Sequence, residues 1–168
     1  MNINALPRLD ISTNTTGCCP RFHPEGWENT RISFRDKPFL RAMTRSVLHV
    51  PLNMGAVFER VMAKINAAGA ADPENLIVLS RELSPWSAEH LFAIHAPVDG
   101  EEVTALSGDF VTRVFEGPFS DARKWHTELR EMSRAADKPD GRSYFYYTTC
   151  PKCAKAYGEN YVVGFAEV

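Results

Sequence analysis

The stretch FVTRVFEGPFSDARKWHTEL, residues 110–129, changes its period in the middle. Phe110, Thr112 and Val114 alternate with Val111, Arg113 and Phe115, as the two faces of a strand do. Gly117-Pro118 breaks that pattern. Beyond it, Ala122, Trp125, Leu129 and Met132 recur at helical spacing, so a helix is expected from Pro118 and Ser120 to about residue 135. The same order occurs upstream. RSVLHVPL (45–52) reads as a strand ended by Pro51. Asn53 caps a helix of about residues 54–68, with Val57, Phe58, Val61, Met62 and Ile65 on one face. NLIVLSREL (75–83) and HLFAIHAPV (90–98) then read as two strands. The second unit ends likewise, in RSYFYYTTC (142–150) and NYVVGFAEV (160–168). The expected fold is α+β: two strand–helix–strand–strand repeats sharing one antiparallel sheet. Both helices would lie on one face, leaving a ligand groove on the other, where the repeats meet. Residues 1–40, broken by Pro7, Pro20, Pro24 and Pro38, read as an irregular N-terminal arm, and residues 41–168 as the domain.

The strand ending in Gly117-Pro118-Phe119 before a helix with a central Trp125 resembles the GyrI-like small-molecule-binding domain. That domain is also the effector-binding half of AraC- and MerR-type regulators. The resemblance covers about residues 42–168. It implies binding of amphipathic or cationic compounds between the repeats, and some members of that family hydrolyse reactive small molecules. The chain departs from the family in its GCCPRFHPEGW arm (17–27) and its TTCPKC segment (148–153), and it has no DNA-binding helix pair upstream. It reads as a stand-alone branch.

The bulk numbers are those of an ordinary globular chain of 168 residues, with 44% hydrophobic and 24% charged residues. A net charge of −2 gives no reason to expect nucleic acid as a partner. No apolar run approaches the roughly 18 residues of a membrane helix, and residues 1–12 lack the basic start and apolar centre of a signal peptide. The expected partner is a small molecule, without nucleic acid or membrane, and the expected location is cytoplasmic.

Two cysteine pairs sit at opposite ends of the chain: Cys18-Cys19, and Cys150 with Cys153 in a C-x-x-C. Three readings stand. The four form a metal site, zinc being the ion that suits C-x-x-C sulfurs, with His23 able to replace one of the adjacent pair. Alternatively Cys150 is an exposed nucleophile resolved by Cys153, in a thiol-redox or metal-sensing protein. Or they are small, partly buried residues without a special role.

The remaining candidates are aromatic and acidic. Glu82, Trp86, Glu89 and His90 cluster around one loop entering a strand, where a ring stacks a flat or cationic ligand and a carboxylate pairs with it. Glu82 or Glu89 also suits a general base over a water, the hydrolase reading. His49 and Glu116 lie at strand ends, and Tyr146 and Tyr161 offer aromatic walls with hydroxyl tips. In the strand at 144–147, Tyr144 and Tyr146 share one side while Phe145 and Tyr147 share the other. Phosphate-binding glycine loops, nucleophile elbows and H-E-x-x-H helices are absent from the sequence.

Overall fold

Strand β1 runs from Arg31 to Val47, seventeen residues, and takes three partners in a computed structural model that describes residues 2–168. It pairs antiparallel with β2 (Val50–Pro51), β4 (Ser87–Ala93) and β5 (Glu102–Glu116). β3 (Val78–Ser84), β6 (Ser143–Tyr147) and β7 (Tyr161–Glu167) complete the order β2-β1-β4-β3-β6-β7-β5. The further β1–β5 pairing joins the ends of that row. The result is a six-stranded antiparallel barrel with β2 appended as a short hairpin. A register shift between Phe34 and Lys37 bends β1 where it meets β5.

The open sheet with both helices on one face is therefore overturned, although the order of elements matches the expected one. The reason is that these strands are apolar on both faces. Phe34, Phe39, Leu79, Leu91, Phe110, Tyr144, Val163 and Phe165 pack together inside the barrel. An open sheet would show this face to water, and burial of each such side chain is worth about 1.5–3 kcal/mol. Closure also fills the space where the ligand groove was expected. β1 begins at Arg31, well before the apolar run at 45–52, because Ile32, Phe34 and Phe39 already supply its inner face.

The outward faces receive the helices on separate walls. α1 (Met54–Ala67) buries Val61 and Ile65 against Leu40 and Phe92. α2 (Ala122–Ala135) lays Trp125 and Leu129 on Phe115, Phe145 and Val162, and the Trp125 and Phe115 rings stack at 5.4 Å. Gly164 makes that approach possible: a Cβ there would meet Leu129 at 2.7 Å and Phe115 at 2.9 Å. α3 (Pro151–Tyr157) is a two-turn helix with Pro151 at its start and Gly158, in the left-handed region, at its end. No helix among the described residues is long and apolar enough to cross a membrane.

The arm plugs one end of the barrel. Phe22 and Trp27 are buried in the interior cluster, with the Trp27 ring 5.6 Å from that of Tyr146. Thr112 donates a hydrogen bond to the Trp27 carbonyl. By register, the opposite end carries charge. Glu89, 7% exposed, accepts from Arg41 at 2.6 Å and Arg81 at 3.0 Å.

Candidate functional site

The arm brings Cys18 and Cys19 to the C-terminal cysteines. α3 starts directly after Cys150, and its first turn presents Cys153 inward, where it is buried. The loop before Pro20 folds over that turn. Arg21 pairs with Glu159 at 2.7 Å, and the Tyr157 hydroxyl donates to the Cys19 carbonyl at 2.5 Å. The four sulfurs all lie within 4.8 Å of one another, with Cys18–Cys19 at 3.7 Å and Cys18–Cys150 at 3.9 Å. Bonds of about 2.3 Å from a tetrahedral zinc would set sulfurs about 3.8 Å apart. The Cys150 amide donates to the Cys19 sulfur at 3.5 Å, the kind of support a thiolate ligand receives. His23 is exposed and is not part of the group.

The electrostatics fit a cation. Burial pushes the Cys19 thiol well above its ordinary value. At Cys153 burial also opposes the thiolate, but hydrogen bonds from Thr16, Cys150 and Cys19 outweigh it and bring the thiol down to about 7. One thiolate forms readily, and further negative charge within 4.8 Å needs a positive partner. The four cysteines form a cluster suited to a metal ion.

A second constellation lies on the outer wall. Leu48 and His49 both take left-handed backbone angles at the tip of the β1–β2 hairpin. That tip is bonded to the β3–β4 tip: the His49 amide donates to Pro85 and the Ser46 amide to Trp86. Glu82 faces outward on β3, and its Oε2 lies 2.7 Å from Nδ1 of His49. Both side chains are about half exposed. His49 Nε2 has no hydrogen-bond partner among the described residues. Trp86, 57% exposed, stands at the neighbouring tip, and Leu48, Val50, Leu52 and Leu83 are exposed around it.

Glu82 also acts on α2 and β6. Burial lowers the His126 pKa, and the Glu82 charge works against that shift. Burial, with the Glu82 charge adding to it, pushes the Tyr147 hydroxyl up to about 12, so it remains a proton donor. The His126 ring packs 4.5 Å from that of Phe145. His126 and Tyr147 escape sequence reasoning because they come from separate elements. The one available signal was the outward parity of Tyr147 on its strand.

The other candidates are dispersed. Glu89 is held between two arginines and is not presented to solvent. Tyr146 is buried in the barrel beneath Trp27, and Tyr161 packs 5.7 Å from Phe22. Glu116 is exposed beside Tyr161 at the plugged end, away from Glu82. His90, expected in the loop cluster with Glu82, instead turns under α1, its ring 4.9 Å from that of Phe58. His90 bonds Ser80 at 2.7 Å through Nδ1 and Thr44 at 2.8 Å through Nε2, and burial lowers its pKa to about 4.

Fold and site together define a plugged antiparallel barrel with a four-cysteine cluster and an exposed carboxylate–imidazole pair. Residues 9–168 match the family described as Bacterial hydrolase, and the chain belongs to that family. No curated protein matches the chain.

Proposed function

We propose that the protein hydrolyses a small ester or amide with an apolar part, using His49 and Glu82 as a base and its orienting partner. The 2.7 Å contact between Glu82 Oε2 and His49 Nδ1 carries this reading. With Nδ1–H donated to the carboxylate, Nε2 is left as the proton acceptor, free toward solvent. A water that loses its proton to Nε2 attacks the substrate carbonyl. Glu82 then stabilises the imidazolium, which returns the proton to the leaving group. Trp86, Leu48 and Leu83 offer an apolar rest for the acyl part. The family description supports hydrolysis as the reaction class.

The metal at the cysteines is, in this proposal, zinc. Four thiolate ligands fill a tetrahedral shell and leave no open position for water, so its role is to pin the arm over the barrel. Turnover of p-nitrophenyl esters of increasing acyl length tests the reaction. Activity lost in both His49→Gln and Glu82→Gln, with folding intact, supports it. Activity unchanged in both removes the pair from consideration.

A further inference from the structure

Where the arm crosses Lys37 of β1 and the Ala93 end of β4, it leaves a cavity of about 330 Å³, at the other end of these strands from the bonded hairpin tips that carry His49. Its roof is residues 4–8. Asn4 bonds both backbone groups of Arg35 through its side chain, and Arg8 pairs with Glu74 at 2.9 Å. Its wall includes Ala93, Ile94 and His95, and Lys37 reaches into it from β1.

Lys37 is unusual in this chain. It sits at the register shift of β1, half-buried, with its ammonium 5.8 Å from the Phe39 ring centre. Among the described residues its ammonium has neither a hydrogen bond nor an ion pair. Asp72, the carboxylate in the cavity, is occupied by the Asn75 side chain and the Glu74 amide. A partly desolvated cation without a counter-charge is costly, and an anion in the cavity would offset that cost. Burial does lower the Lys37 pKa, as expected for an ammonium lacking a partner.

We infer that this cavity binds a small organic carboxylate, with its charged end on Lys37 and its short apolar body against Leu6, Ala93 and Ile94. The volume is at the small end of the range for ligand sites, about 300–1,000 Å³. Arg8 and His95 add donors at the rim, and neither alone makes the site. Asp72 sets the charge of the ligand: one negative charge is met by Lys37, while a dianion would also face that carboxylate. The site therefore favours a carboxylate over a phosphate. It shares no residue with His49 and Glu82, which lie toward the opposite end of these strands.

The test is titration of the full chain with hexanoate at constant ionic strength, followed by the NMR signals of the Lys37 ε-methylene and by calorimetry. Saturable binding is expected, weakened roughly tenfold or more in Lys37→Met, as for loss of a charge-assisted bond. Lys37→Arg should retain it. Ala5→Glu, an exposed change at the rim, should weaken it without touching the core. Inorganic phosphate should bind more weakly than hexanoate. Unsaturable shifts, wild-type affinity in both Lys37→Met and Ala5→Glu, or displacement by chloride at equal concentration would each overturn the site. Phosphate binding as tightly as hexanoate would overturn the assignment of the ligand.

Discussion

The sulfur of Cys18 lies 3.9 Å from that of Cys150, 132 residues further along the chain. Between the two cysteines run five of the six barrel strands, all but β7, and beside Cys18 runs the segment that plugs the barrel with Phe22 and Trp27. A metal at this point would therefore tie the plug to the last helix and strand.

Loss of that tie should cost stability. Cys18→Ser or Cys150→Ser, or treatment with a strong chelator, should lower the unfolding free energy by about 3–5 kcal/mol, the scale for opening a long cross-linked loop. Mass spectrometry under native conditions should show one zinc per wild-type chain and none in the variants. A metal-free wild type whose melting temperature equals that of Cys150→Ser would sink the zinc centre.

The two acidic candidates should separate cleanly. Glu82→Gln and His49→Gln should each reduce kcat/KM on the ester probe by about 10²–10⁴, the usual range for a general base, with little change in melting temperature. Glu89→Gln should instead destabilise the fold by about 2–3 kcal/mol, because Arg41 and Arg81 lose the charge they share. Denaturation curves beside steady-state rates decide it. A stable Glu89→Gln enzyme without activity would contradict the assignment.

Acid should weaken the protein in two windows. His90 has a folded pKa of about 4 against an ordinary 6.5, because burial opposes its charge. Above pH 6.5 it is neutral folded or unfolded. As pH falls from 6.5 to 4 the unfolded chain takes the proton first, and stability drops by about 3 kcal/mol. The Arg142 guanidinium beside Glu167 pulls that carboxyl down to about 2 from 4.5. Its contribution is complete above pH 4.5 and is lost as pH falls toward 2. His90→Gln should shrink the upper window in urea titrations, leaving a smaller part that belongs to His126, and leave the lower one. A wild-type midpoint constant from pH 7 to 4.5 would refute the first part.

Gly164→Ala should destabilise by about 1–3 kcal/mol, because the added methyl meets Leu129 and Phe115 and α2 must shift outward. Trp27→Ala should cost about 3–5 kcal/mol by emptying the plugged end of the barrel. Thermal unfolding of both variants checks this, and a neutral Trp27→Ala would mean that the arm does not support the core.

Local periodicity carried the order of elements. Ala122, Trp125 and Leu129 at helical spacing announced α2, and the alternation of Tyr144 and Tyr146 against Phe145 and Tyr147 announced two apolar faces on β6. Both faces were indeed buried, one inside the barrel and one under α2. For Cys18, Cys19, Cys150 and Cys153 the sequence left three readings open, a metal site among them, and the meeting of the four sulfurs is compatible with that one. Partners across space were not legible. Nothing in the order of residues says that β1 turns far enough to meet β5, because closure depends on strand length, twist and the bulge at Lys37 acting together. His49 meets Glu82 only because two hairpin tips are bonded to each other, and His126 and Tyr147 join them from elements 44 and 65 residues beyond Glu82 in sequence. The sequence by itself determined which residues were apolar, in what rhythm, and which could bind metal. The tertiary structure alone decided which face became interior and which charges met, since both depend on contacts between residues far apart in the chain.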